Sequence, residues 1–237
     1  VIVTADATCK KLNFTGTEGV VSVNTGITLT VSTSVNVDQA DQNNAGTISG
    51  LGTLTCTSIN VGTSAPSLTA GRTTTLTSTI SNLTSTGSIT LTSRNFSSNN
   101  NNPLFYLQSG TLTCTDVTTV HPSGTNTATI SLTTGAATGT LKLTGATPFT
   151  LDTDGTNSIT LNGSGATVEY SGTAQTVRNT SYTNLTLSGS GNKTMAAFAV
   201  SGKLSLQGTA AAITTAPSSI GTLEYKGSSS QTTTAIE

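Results

Sequence analysis

A three-residue pattern, Leu between two small polar residues or Lys, returns down the whole chain. It reads Thr-Leu-Thr at 28–30, 53–55, 75–77, 90–92 and 111–113. It continues as Thr-Leu-Lys at 140–142, Thr-Leu-Asn at 160–162, Asn-Leu-Thr at 184–186, Lys-Leu-Ser at 203–205 and Thr-Leu-Glu at 222–224. The gaps between the central leucines average roughly 22 residues, and a fixed period of 20–50 residues is the mark of a stacked-repeat architecture. Around each Leu the polar and apolar residues alternate, which is a strand with one buried face. Turn formers lie between the strands: NTG, NNAG, SAPS, NNNNP, HPSG, TTG, DTDG and GSG. No stretch has a helical period long enough to matter; MAAFAV at 195–200 reads as one more buried strand.

One strand recurring every twenty residues or so predicts an all-β fold, a parallel β-solenoid (β-helix) of about eleven coils of roughly 20 residues. Leu29, Leu54, Leu76, Leu91, Leu112, Leu141, Leu161, Leu185, Leu204 and Leu223 would form an inner ladder. At ~4.8 Å per strand the rod would be about 50 Å long. The alternative is tandem β-sandwiches, which also have short strands and frequent turns but want more aromatic bulk. Residues 1–237 read as a single repetitive segment of a longer protein, with a loop insertion over 95–107.

Composition agrees with this. Thr is the commonest residue, and its branched side chain suits strands. Only 8% of residues are charged, and the net charge is −1. That leaves no basic patch for nucleic acid and no polybasic run for a membrane surface. No apolar run approaches the ~18 residues of a membrane-spanning helix, so no membrane insertion is expected.

Longer repeats overlay the leucines. TLTCTSINVG at Thr53 is nearly copied as TLTCTDVTTV at Thr111, and ATCKKLNFTG at Ala7 is a more distant relative. The segment ATVEYSGTAQTV at 166–177 resembles GTLEYKGSSSQTT at 221–233. VIVTADATCKKLNF, the TLTCTSINVG copies and ATVEYSGTAQTVRNTSYTNLTLSGSGNKTM together resemble the repetitive secreted surface proteins of Bacteroidetes-type bacteria. Nearly the whole chain takes part. The resemblance implies an extracellular, adhesin-like polypeptide of β-solenoid repeats, often exported by type IX secretion through a C-terminal sorting domain. It brings no catalytic residues with it.

The candidates for chemistry are few. Cys9, Cys56 and Cys114 occupy equivalent repeat positions. Two or three coils apart they would stand about 10–15 Å from one another, too far for a disulfide that needs Cα atoms within ~7 Å. They read as small core residues, with a disulfide as the alternative; four-ligand zinc spacing is absent. His121, in VHPSG, reads as a solvated turn residue. Asp152, Asp154 and Asn157 in DTDGTN read as a solvated turn, with a weak calcium loop as the alternative. Asp152 and Asp154 are also the closest approach to the carboxylate pair of a β-helix carbohydrate enzyme. No catalytic, cofactor-binding or metal-binding residue is assigned, and no cofactor is expected.

Outward threonines of the Thr-Leu-Thr runs would form ranks of the kind an ice-binding face uses, broken by Lys142, Asn162, Lys203 and Glu224. The expected function is structural or adhesive, without catalysis. Its partners would be neighbouring repeats or copies of itself, joined end to end. A glycan-binding module, with Phe96, Phe105 and Tyr106 as stacking surfaces, is the alternative.

Overall fold

The computed structural model describes residues 1–38, 43–62, 72–96, 99–121, 127–132, 137–213, 215–228 and 230–231. The described residues form strands, turns and bends with no helix. The strands pair in parallel in large sheets. Among the described residues the one antiparallel pair joins Arg94–Phe96 to the start of Asn99–Leu107. Tandem antiparallel sandwiches are therefore ruled out.

Three ladders take strands in turn as the chain advances. The first runs through Ile2–Val3, Gly19–Val23, Asn44–Ser49, Arg72–Ser78, Asn99–Leu107, Thr127–Ser131 and Thr156–Thr160. The second carries the Leu motif. Its register runs Ala7, Leu29, Leu54, Leu83, Leu112, Leu141, Val168, Leu185, Leu204, Leu223. The third runs Leu12, Val35, Ile59, Ile89, Val117, Phe149. The inward side chains of all three ladders belong to one hydrophobic cluster.

The register corrects the expected repeat. Among the described residues the second ladder has ten strands, not eleven. From Leu29 its return steps are 25, 29, 29, 29, 27, 17, 19 and 19 residues, not a uniform twenty. Leu76 belongs to the first ladder, opposite Gly46 and Phe105. Leu91 belongs to the third, opposite Val61 and Thr119. Leu161 follows the last strand of the first ladder. Polar–Leu–polar marks an inward position on any ladder, so leucines from different ladders look alike in sequence.

The strand Thr53–Gly62 shows how one segment serves two ladders. Thr53 to Cys56 pairs in the second, Ser58 to Val61 in the third, and exposed Thr57 sits at the corner between them. The expected loop at 95–107 is also corrected. Asn99–Leu107 is a strand whose residues 101–107 pair with Arg72–Ser78, and Phe105 is fully buried. MAAFAV is not one strand: Met195 to Phe198 lie between the strands Ser190–Thr194 and Ala199–Ile213, although Met195 and Phe198 are buried.

Two local devices fit the chain to this stacking. Gly19 and Gly46 are register partners, and a Cβ on either would lie 2.6 Å from the Phe14 ring. The two glycines make the slot that Phe14 fills. Gly110 turns with φ +71°, where a Cβ would lie 1.9 Å from the Ile80 carbonyl oxygen; a side chain is excluded on both counts. On the third ladder, Asn60 donates its amide to Asn36 Oδ1 and Asn36 donates to Asn13 Oδ1, each at 2.8 Å. That amide chain ties three successive strands together.

Candidate functional site

The cysteines lie on one inward rank of the second ladder. Cys9 and Cys56 flank Val31, and Cys56 is opposite Ser85. Cys114 comes one residue beyond the Thr84–Thr113 pair and is opposite Leu143. Neighbouring cysteines are thus two strands apart, about 10 Å. All three are unbridged; Cys56 and Cys114 are buried and Cys9 is half-buried. Burial pushes the Cys56 thiol up to about 11 and the Cys114 thiol up as well. These are protonated, apolar-packed thiols rather than nucleophiles.

His121 is not the solvated turn residue expected; it is 1% exposed. Its ring lies between Ser93 Oγ, against Nδ1, and Asn157 Oδ1, 3.0 Å from Nε2. Asn157 Nδ2 donates to the Asp152 carbonyl at 2.8 Å, which fixes the amide with its oxygen toward the histidine. With the amide so placed, Nε2 is the donor to Asn157 Oδ1. Asp152 closes the knot: its carboxylate accepts from the backbone N–H of His121 at 2.9 Å and of Asp154 at 3.0 Å. Those two donors hold its carboxyl below the usual range. Ser93 has no exposed surface, so the Ser–His pair offers nothing to a substrate. In the Asp152–Asn157 turn both Asp152 carboxylate oxygens and the Asn157 oxygen face N–H donors.

On the outer side of the second ladder, Thr30, Thr55, Thr84 and Thr113 form an unbroken rank, continued by Lys142 and Glu169. The charged residues there pair with one another. Lys142 Nζ lies 2.8 Å from Glu169, and Glu224 lies 3.3 Å from Lys203 and 3.1 Å from Lys226. Glu169 and Glu224 are thus each engaged by lysine. Phe105 is in the core and presents no stacking face for a sugar. Tyr106 is half-buried, and the side chain of Phe96 lies outside what the structure describes.

The repeated segment around Glu169 and Glu224 has a common physical job. Gln175 is buried; its amide donates to the carbonyls of Leu143 at 3.0 Å and Gly145 at 2.7 Å. Its oxygen accepts from Gly172 N at 2.9 Å and Lys193 Nζ at 3.0 Å. In the later copy, Gln231 donates to the carbonyls of Gln207 and Ala210. Gly172 and Gly227 leave room for these glutamines: a Cβ would lie 2.9 Å from Gln175 Cδ and 2.4 Å from Gln231 Cδ. Glu-Tyr-x-Gly followed by Gln is thus a device by which a side chain satisfies carbonyls of another strand. Lys193, 1% exposed, donates to the carbonyls of Gly172, Thr173 and Ser190, and burial lowers it to about 8.

Tyr170 and Tyr182, both buried, join hydroxyl to hydroxyl at 2.9 Å. Between them they grip one residue: Arg178 N donates to Tyr170 at 3.1 Å, and Tyr182 donates to Arg178 O at 2.7 Å. Arg178 faces a cleft of about 450 Å³ with Pro148, Phe149, Val177 and Met195 among its walls. Its guanidinium lies over the Phe149 ring at 5.6 Å. The sequence reading missed this group; the signal was the Tyr and Gln shared by the two copies, Tyr170 with Gln175 and Tyr225 with Gln231. No family model, no curated protein and no solved structure matches the chain.

Proposed function

We propose that the chain is a stretch of parallel β-solenoid within a large extracellular bacterial surface protein, and that its work is mechanical: holding a binding region away from the cell or forming part of a fibre. One observation carries this reading. The second ladder runs in register from Ala7 to Leu223, and among the described residues its two outermost strands are each paired on one side only. An unpaired strand edge is a template for another strand. Stability in such a stack is a sum of neighbour interfaces, so length can grow without a new core design. The partners that fit are further repeats of the same kind or a second copy of this chain. A head-to-tail contact that does not close produces a filament.

The test is sedimentation velocity over a wide concentration range, with Thr8→Pro as the comparison, because Thr8 is exposed in the outermost strand Ala7–Cys9 and the alternation of a parallel ladder turns its N–H to the open edge. Concentration-dependent growth in the native chain, reduced in the variant, supports the proposal. A monodisperse monomer throughout removes the filament part of it. The glycan-binding alternative loses Phe105 from its proposed surface, since that ring packs inward.

A further inference from the structure

The third ladder has a break, and the cleft at Arg178 lies there. Phe149–Thr150 pairs back to Val117–Val120, and Gln175–Thr176 pairs forward to Ser190–Thr194. No pairing joins Phe149–Thr150 to Gln175–Thr176 among the described residues. The break leaves a hollow of about 450 Å³, within the range that holds a ring-sized molecule. Its walls are mostly apolar: Pro148, Phe149, Val177 and Met195, with threonines at the margin.

Into this apolar hollow the chain places one cation, with no counter-ion among the described residues. Arg178 forms none of the ion pairs found among the described residues. Its Nε is sealed from water and has no hydrogen-bond acceptor. A buried guanidinium N–H without an acceptor is costly, and a carboxylate is the partner whose planar geometry satisfies it. The backbone at this position is not free to relax, because Tyr170 and Tyr182 hold both its N–H and its carbonyl. The residue is positioned, and what it lacks is an anion.

We propose that this cleft binds a carboxylate carried on a ring-sized body. Binding draws the guanidinium off the Phe149 ring. Nε and the neighbouring amino group then take the carboxylate as a fork, and the ligand body replaces the guanidinium against Phe149, Pro148 and Met195. The cation–π contact with Phe149 is the position from which the same arginine moves. The carboxylate has two sources, a free aromatic or alicyclic acid or the acidic unit of a polysaccharide. This site does not depend on the stacking role proposed above.

Ligand-observed NMR titration of the whole chain tests the idea with benzoate, digalacturonate and the neutral benzyl alcohol as probes. Benzoate is expected to bind at least about tenfold more tightly than benzyl alcohol, the worth of a charge-assisted pair. Arg178→Gln should remove that advantage while leaving the far-ultraviolet circular dichroism unchanged. The Phe149 ring resonances should shift as the guanidinium leaves. Saturation by digalacturonate and not by benzoate supports the site and assigns it to an acidic sugar. If neither acid saturates, or benzyl alcohol binds as tightly as benzoate, or a folded Arg178→Gln binds as well as the native chain, the proposal fails. The comparison of acid with alcohol on the native chain stands even if the variant does not fold.

Discussion

Ser93, His121, Asn157 and Asp152 meet across 28 and 36 residues of chain to close one buried knot of polar groups. Removing the ring would take a partner from the Ser93 hydroxyl and from the Asn157 oxygen and leave a hollow where the buried imidazole stood. His121→Ala is therefore expected to cost about 3 kcal/mol in denaturant unfolding; a loss under about 1 kcal/mol would show that water reaches the knot. The thiols give a second check. Cys9 should react with a disulfide reagent in the native protein, while Cys56 and Cys114 wait for unfolding. Rapid labelling of Cys56 would contradict the assigned register. The cysteines were legible in sequence because their place in the repeat and their spacing already set them apart. His121 was not, since His-Pro-Ser-Gly reads locally as a turn and its partners come from distant strands.

At the scale of the strand, side chains do some of the pairing that backbone groups do elsewhere. Gln175 satisfies two carbonyls and is itself satisfied by Gly172 and Lys193, so Gln175→Ala leaves a buried amide network half made. A loss of about 2–3 kcal/mol is expected by thermal or chemical unfolding. A loss near zero would mean that the carbonyls find water instead.

Glu224 provides a pH signature. The Ser205 hydroxyl, with Lys226 and Lys203, holds its carboxyl from the ordinary 4.5 down to about 2. A carboxyl lowered on folding adds stability that is full above about 4.5 and fades as pH falls toward about 2. Carbon-detected titration should find the Glu224 midpoint near the lower value, and Glu224→Gln should remove this part of the acid response. A midpoint at 4.5 would contradict the hydrogen-bond geometry. Period-two alternation made the strands themselves readable. It did not reveal which ladder each joins, because Leu76, Leu83 and Leu91 occupy the same kind of inward slot on three different ladders.

Over the whole molecule, the all-β class and the parallel, leucine-lined core could be read from the recurrence of one motif. The length of each return could not. A strand such as Thr53–Gly62 turns a corner at Thr57 without a glycine or proline to announce it. The change from 29-residue steps to 19 comes where the third ladder breaks between Phe149 and Gln175, and the chain crosses less ground per return. In the proposed solenoid, distance along the stack is then set by strands counted, not by residues.

That is measurable. Thr30 and Thr186 stand on one outward rank, six register steps apart through Thr55, Thr84, Thr113, Lys142 and Glu169. Spin labels placed there, in a background lacking the three native thiols, should give a narrow distance distribution centred at about 29 Å, six strand spacings of ~4.8 Å. A distribution centred below about 20 Å, as sheets folded face to face at ~10 Å would produce, would contradict the parallel stack.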